Sequence, residues 1–261
     1  MGQITVAATA PFGADVLERL AQNHEVELLL TRPDKPRGRG RTLQPTPAKA
    51  VAERLGIRVE QPAKLAAGVE IPSDTVVVCA YGLLIPESLL ADGLWLNVHP
   101  SLLPRWRGAA PVERALMAGD TETGVTIHQT IKELDAGPIA AQEAFPLGDD
   151  DDAGAVYARS AELAARLLDQ VIANPTFTLQ PEEGVTYAEK IAPEDRELDP
   201  RRDPHELVNR VRALSPHIGA RLGDLLVWRA RVNEEGVFEP VEVQPAGGKR
   251  MPYDAYLRGR R

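Results

Sequence analysis

The sequence predicts an α/β protein built on an open, doubly wound and mostly parallel sheet, with a small β-rich domain at its end. Two short apolar runs, residues 4–8 and 26–30, flank residues 12–20, in which apolar side chains recur every four positions. Strand, helix and strand in this order are typical of a right-handed βαβ unit. A third run, residues 75–80, is rich in β-branched residues and predicts a central strand.

The turn after the first strand excludes two common kinds of nucleotide site. Its residues, Ala-Pro-Phe-Gly at 10–13, do not match the G-x-G-x-x-G turn of dinucleotide-binding domains, and the chain has no G-x-x-x-x-G-K-[ST] loop. A nucleotide cofactor bound through either kind of loop is therefore not expected. Further along the chain, residues 47–55 predict a helix, and residues 58–60 predict a short strand.

Residues 94–137 carry the polar side chains that suit a site on such a sheet. An apolar strand, residues 94–98, presents Asn97 and His99 at its end, and these positions at i and i+2 leave the same face. A second apolar strand, residues 125–131, leads to a tight turn that contains Asp135. Strand ends and the loops after them are the usual position of a site on an open α/β sheet.

Each of these side chains also has a structural interpretation when taken alone. Asn97 suits a strand end, His99 suits a half-buried ring with satisfied hydrogen bonds, and Asp135 suits a turn. Ser101 near His99 allows a hydrolytic triad as well, although the chain lacks the G-x-S-x-G turn that presents such a serine. The residues alone leave these alternatives open.

The stretch NVHPSLLPRWRGAAP at 97–111, with LDAG at 134–137, resembles the catalytic core of the folate-dependent formyltransferases. The resemblance implies a Rossmann-like formyltransferase fold and an enzyme whose catalytic residues are Asn97, His99 and Asp135. It also implies that an amine attacks the formyl carbon of 10-formyltetrahydrofolate directly, without a covalent enzyme intermediate. Such a reaction needs a donor for the developing oxyanion, which Asn97 can supply, and a group that takes the proton of the amine.

The resemblance further implies where the two substrates bind. The segment AYGLLIP at 80–86 borders the pterin pocket in this family, and Gly82 would permit the close backbone approach that a flat ring needs. The residues assigned to the folate site are Tyr81, Gly82, Leu83, Ser101, Leu102, Leu103 and Pro104. Those assigned to the entrance of the amine substrate are Arg105, Trp106 and Arg107.

A basic loop and a short motif resemble the branch of the family that formylates initiator methionyl-tRNA. The loop, residues 31–47, reads TRPDKPRGRGRTLQPTP, and the motif at 186–191 reads TYAEKI. Composition alone favours a solvated loop, but in the family this loop reaches the acceptor end of the tRNA. Phosphate contact suits cations on a loop that orders on binding. The residues assigned to nucleic-acid binding are Lys35, Arg37, Arg39 and Arg41.

The C-terminal part is expected to be a shortened form of the family's OB-like domain. Residues 205–214 predict a helix, and residues 225–232 and 241–243 predict two strands, which are too few for a five-stranded barrel. We expect a catalytic domain at 1–190, a linker at 191–203 and this small domain at 204–261. A helix is expected at 153–172, and the acids before it suit a helix N-terminus better than a metal site.

Composition sets the remaining expectations. The net charge of −8 argues against a polyanionic partner, but the basic residues cluster locally, and local patches decide where such a partner docks. No apolar run has the ~20 residues of a membrane span, and the N-terminus lacks the pattern of a signal peptide, so a cytoplasmic protein is expected. A monomer without a metal is expected as well. Two other functions remain possible on these grounds, namely formylation of a small amine such as an amino sugar nucleotide, and an inactive RNA-binding relative.

Overall fold

The computed structural model of the chain describes residues 2–37, 42–66 and 68–259. The elements of its first half are β1 (Gln3–Ala8), α1 (Pro11–Leu20), β2 (Glu25–Leu30), β3 (Lys35–Arg37), β4 (Thr42–Gln44), α2 (Pro47–Leu55), β5 (Arg58–Glu60), β6 (Thr75–Cys79), α3 (Glu87–Leu90), β7 (Leu94–His99) and β8 (Arg107–Gly108). Those of its second half are α4 (Pro111–Ala118), β9 (Glu122–Gln129), β10 (Ile139–Pro146), α5 (Ala153–Ala173), β11 (Tyr187–Ala188), a 3-10 turn (Glu194–Arg196), α6 (Pro204–Leu214), β12 (Ala220–Leu222), β13 (Leu225–Val232), β14 (Phe238–Pro245), β15 (Met251–Pro252) and α7 (Tyr253–Arg258).

A seven-stranded sheet with the order β10-β9-β7-β6-β1-β2-β5 carries the fold. The pairs from β5 to β7 are parallel, whereas β9 runs antiparallel to β7. The chain leaves β1 toward β2 on one side and later returns to β6 on the other, which is the doubly wound arrangement that the sequence predicts. In such sheets the carboxyl ends of the strands form the binding edge. The predicted α/β class is confirmed.

The sheet is held by apolar side chains that the predicted strands contribute. Leu28, Val76 and Trp95 are almost completely buried and pack in one cluster with their neighbours. Burial of each such side chain stabilises the fold by about 1.5–3 kcal/mol. Tyr81, directly after β6, belongs to the same cluster, so the loop that follows this strand is anchored in the core.

The segment predicted as one long loop, residues 31–47, differs from the prediction. Its described residues include two short strands, β3 and β4, which pair antiparallel from Lys35 and Gln44 inward. Neither strand shows the apolar alternation that identifies a half-buried strand, so the sequence pattern could not reveal them. At the end of the segment, Thr46 caps α2 by accepting a hydrogen bond from the Lys49 amide.

The chain divides into two compact units. The first comprises Met1–Arg107, Gly124–Ala144 and Ala158–Val185, and the second comprises Gly108–Thr123, Phe145–Tyr157 and Thr186–Arg261. This division does not test the domain boundaries that the sequence predicts at 190 and 204, which remain predictions. None of the helices in the described residues is long and apolar enough to cross a membrane.

The second unit contains the predicted β-rich part. Strands β12 to β15 form one four-stranded antiparallel sheet, with two more strands than the sequence pattern indicates. Leu207 and Val211 of α6 are buried in one cluster with Val227 and Val243 of the sheet. The small β-rich C-terminal domain is therefore confirmed. In the same unit, Asp152 accepts a hydrogen bond from the Ala155 amide at the start of α5, as expected of an acid at a helix N-terminus.

Candidate active site

Asn97 reaches two polar partners in the first unit. Its Nδ2 atom lies 3.0 Å from Nε2 of His128 and 3.2 Å from Oδ1 of Asp135. Strands β7 and β9 pair with Asn97 directly opposite His128, so the sheet register fixes the first contact. His128 Nδ1 lies 2.9 Å from the Gln129 carbonyl, to which it donates. In the neutral ring Nε2 is then the acceptor, and it holds the amide of Asn97 with its nitrogen toward Asp135.

His99 is buried beside the same carboxylate. Its Nε2–H donates to the carbonyl of Trp106 at 2.8 Å, and its Nδ1 lies 3.7 Å from Oδ2 of Asp135. The ring of His128 is a further neighbour, at 6.3 Å between ring centroids. Burial lowers the pKa of His99 below 6.5, and this effect outweighs Asp135, which raises it. The neutral ring therefore turns an unprotonated Nδ1 toward Asp135.

The turn that presents Asp135 is closely constrained. Asp135 has a φ of +47°, in the left-handed region that side chains rarely adopt. Two residues later, a Cβ atom on Gly137 would lie only 1.8 Å from the carbonyl oxygen of Gln129. Only glycine allows this approach, which seats the turn against the end of β9. The three predicted catalytic side chains thus meet at one point, with Asp135 in contact with both of the others.

A cavity of about 550 Å³ opens at this point. It is bordered by Asn97, His128 and Asp135 on one side and by the apolar loop after β6 on the other. The rest of its lining is mostly apolar and comes from Val78, Ala80, Tyr81, Gly82, Leu83, Leu84, Ile85, Pro86, Glu87, Thr130, Ile131, Lys132, Glu133 and Leu134. Gly82 has a φ of +75°, so glycine suits the turn of this loop.

The structure separates the residues that the sequence assigned to the folate site into two groups. Tyr81, Gly82 and Leu83 line the cavity. The described lining does not include the second group, which consists of Ser101, Leu102, Leu103 and Pro104. Ser101 is completely buried and its Oγ donates to the carbonyl of Arg105, which is no geometry for a nucleophile activated by His99.

Of the residues assigned to the entrance and to nucleic-acid binding, the structure describes Arg105, Trp106, Arg107, Lys35 and Arg37. The guanidinium carbon of Arg105 lies 4.3 Å from the ring centroid of Trp106, and Arg107 donates to the side chain of Gln180. Lys35 is exposed on β3, which ends at Arg37. Arg39 and Arg41 lie outside the described residues. The binding roles of these residues remain predictions.

The sequence did not indicate two polar residues that contact the predicted catalytic set, His128 and Gln180. His128 lies inside an apolar strand, and only its pairing opposite Asn97 reveals its contact with the amide. Gln180 lies in a stretch that the sequence indicates only as rich in proline and charge, yet its Nε2 donates to the carbonyls of Asp135 and Gly137. Both contacts join residues that are more than 30 positions apart, so no local pattern could have indicated them.

Comparisons with known proteins establish the class of protein to which this chain belongs. A family model described as formyl transferase matches residues 3–172. An N-formyltransferase from Helicobacter canadensis, solved with folinic acid and dTDP-3-aminofucose, has the same fold, with a TM-score of 0.69 at 18% identity over 89% of this chain and 88% of that one. Methionyl-tRNA formyltransferase from Clostridium thermocellum also shares the fold, with a TM-score of 0.65 at 14% identity over 97% and 100% of the two chains. The class is that of the α/β formyltransferases, which use a formyl-tetrahydrofolate.

Curated relatives narrow this class. Methionyl-tRNA formyltransferase of Dechloromonas aromatica is 38% identical over 98% of this chain and 95% of its own length. That of Alcanivorax borkumensis is 42% identical over 98% and 91% of the two chains. The chain belongs to the formyl transferase family, in the group of the methionyl-tRNA formyltransferases. The alignment with the first relative spans 296 positions, more than the 261 residues of this chain, so that relative has segments that this chain lacks.

Proposed function

We propose that this protein transfers the formyl group of 10-formyltetrahydrofolate to the amino group of the methionine carried by initiator tRNA. The observation that supports this proposal most strongly is the meeting of the Asn97 amide, the His99 imidazole and the Asp135 carboxylate at one point, where Asn97 and Asp135 line a largely apolar cavity. The names of the full-length relatives supply the acceptor, because both are methionyl-tRNA formyltransferases. The sequence resemblance in the basic loop and in the TYAEKI motif agrees with this acceptor.

The cavity suits the pterin part of the folate. Its volume lies within the range of about 300–1,000 Å³ that is usual for small-molecule sites. Tyr81 Oη and Thr130 Oγ1, on residues of its lining, are buried and have no hydrogen-bond partner in the described structure. A heterocycle with donors and acceptors on its edge could bond these groups, which otherwise carry a desolvation cost. Tyr81, Gly82 and Leu83 are the residues we assign to this side of the folate site.

Asn97 is suited to stabilise the charge that develops during transfer. As the amine attacks, negative charge grows on the formyl oxygen, and the Asn97 N–H that now points to Asp135 can donate to this oxygen instead. The second N–H stays on His128, which keeps the amide in place. Loss of one such donor raises the barrier by about 2.7–4 kcal/mol in enzymes where it has been measured.

His99 is suited to act as the base. Its Nε2–H is held by the Trp106 carbonyl, so Nδ1 is the ring nitrogen left to accept the proton that the amine releases. Asp135 stabilises the imidazolium that results. The bond from the formyl carbon to the new nitrogen forms, the bond to N10 of the folate breaks, and the proton is returned to N10. This geometry favours moving the proton, rather than polarising the formyl oxygen, as the role of His99.

A competition assay tests the proposal. The purified protein is incubated with 10-formyltetrahydrofolate and equal concentrations of charged initiator tRNA and a nucleotide-linked amino sugar. We expect formylmethionyl-tRNA as the main product. Preferential formylation of the amino sugar would replace the acceptor in our proposal, and a folded protein that forms neither product would overturn it.

A further inference from the structure

Gln180, which is not part of any strand, binds the turn that presents Asp135. Its Nε2 donates to the backbone carbonyls of Asp135 and Gly137, each at 2.8 Å. Nearby, Thr178 and Ile139 exchange two backbone hydrogen bonds of 2.8 and 2.9 Å, which bring the segment after α5 against the same turn. Because Asp135 is held at a φ of +47°, its backbone conformation depends on contacts of this kind.

The other end of the same amide is held by Arg107. Its Nε and Nη2 atoms lie 3.2 and 2.6 Å from Oε1 of Gln180. The amide therefore uses both N–H groups and both lone pairs of its oxygen, so that its orientation is fixed. A flipped amide would place its oxygen against two carbonyl oxygens and its N–H groups against a cation.

Arg107, the first residue of β8, directly follows the loop that orients His99. The carbonyl of Trp106, the preceding residue, accepts the hydrogen bond from His99 Nε2. The Arg107–Gln180 pair thus joins this loop to the turn of Asp135. The two side chains that these backbone segments carry or orient, His99 and Asp135, lie 3.7 Å apart between Nδ1 and Oδ2.

We propose that Gln180 and Arg107 are positioning residues, which act through one another to set the geometry of His99 and Asp135. This inference rests on the proposed function, since it assigns a role in the same reaction. It gives Arg107 a different task from the substrate entrance that the sequence suggested. Neither residue is expected to touch the reacting atoms.

The test compares Gln180→Met, which keeps the length of the side chain, with Leu179→Ala, a control at a neighbouring residue that is 80% exposed. For Gln180→Met we expect kcat to fall about 100-fold, which is the scale of a 1 Å misplacement at a reacting centre. The KM values for both substrates should change little, and the control should behave as the unmodified protein. If Gln180→Met does not fold, Gln180→Glu serves instead, because it keeps the oxygen for Arg107 but loses both donors. An unchanged kcat in the folded variant would overturn the inference.

A double-mutant cycle with Arg107→Met separates positioning from substrate contact. If the two residues act through one another, the double variant should lose no more activity than Gln180→Met alone. A raised KM for charged tRNA in Arg107→Met, with effects that multiply in the double variant, would instead place Arg107 at the entrance and overturn the shared role.

An NMR titration of the His99 ring gives a readout that needs no substrate. In Gln180→Met the carboxylate should move away from the ring, so the pKa of His99 should fall further, while Leu179→Ala should leave it unchanged. An unchanged pKa in Gln180→Met would contradict the inference. Failure of the proposed function would give a different result. If the unmodified protein does not formylate charged tRNA, the titration of His99 in these variants can still be measured and is expected to show the same differences.

Discussion

Burial has more influence than the acidic neighbour on the protonation of His99. Asp135 raises the pKa of the ring, but removal from water lowers it further, and the net value lies below 6.5. At neutral pH the ring is therefore an unprotonated acceptor on its Nδ1 side, as a base requires. The sequence places His99 and Asp135 in one site, but the balance between these two effects depends on the three-dimensional packing around the ring.

This balance predicts the pH behaviour of the folded protein. Between the pKa of His99 in the folded state and 6.5, the unfolded chain binds more protons, so stability rises with pH in this window. The contribution of His99 is complete above about 6.5 and is lost as the pH falls through the lower, folded value.

NMR titration of the ring measures the pKa directly, in the unmodified protein and in Asp135→Asn. We expect a value below 6.5 in the first and a still lower value in the second, because the carboxylate that favours the charged ring is gone. A titration above 6.5 in the unmodified protein would contradict this account.

The turn of residues 134–137 is the element on which the site depends most. In Gly137→Ala the new Cβ would meet the Gln129 carbonyl at 1.8 Å, so the turn must move away from the end of β9. We expect kcat for formyl transfer to fall about 100-fold, because Asp135 moves with the turn. Gly148→Ala is the matched control, since its Cβ would have no neighbour closer than 3.4 Å. Equal kcat values in the two variants would show that the turn does not fix Asp135.

The elements that the sequence predicts well are those with a strong apolar period. Strand β13, from Leu225 to Val232, has the predicted bounds, and helix α5 ends one residue beyond its prediction. In both elements the side chains that face the core are the apolar ones whose regular spacing is visible in the sequence. The short strands β3 and β15 have few or no buried apolar residues, so nothing in their local sequence distinguishes them from loops.

Some residues of the candidate site can likewise be identified from the sequence, and others cannot. Asn97 and His99 stand in one motif, residues 97–111, and Asp135 stands in a second, residues 134–137, so the resemblance could identify all three. His128 and Gln180 reach the same site through strand pairing and a long-range loop contact. Their identification needs the register of β7 against β9 and the path of the chain after α5. Neither can be read from local composition.

At the scale of the whole molecule, charge distribution matters more than total charge. The chain has a net charge of −8, but the segment 31–41 carries five cations against one acid. A polyanion responds to the local field, which is strongest within about one Debye length of such a patch. The predicted binding of tRNA by this segment is therefore compatible with an acidic protein.

A triple variant, Arg37→Ala, Arg39→Ala and Arg41→Ala, tests this segment. We expect a higher KM for charged tRNA and a salt dependence that weakens by about one unit of slope for each lost phosphate contact. The kcat at saturating tRNA should be kept, since none of these residues belongs to the catalytic set. A control triple variant changes three half-exposed arginines of the same unit, Arg54, Arg58 and Arg166. Equal salt slopes in the two triple variants would remove the basic loop from tRNA binding.

The central claim is that Asn97, His99 and Asp135 carry out formyl transfer as one group. It is tested most directly by kcat for the formylation of methionyl-tRNA in Asn97→Ala, His99→Ala and Asp135→Ala, each checked for its fold. We predict a fall of about 100- to 1,000-fold in each variant, and a double variant that loses little more than either single one. Turnover of His99→Ala at the rate of the unmodified protein would contradict the account.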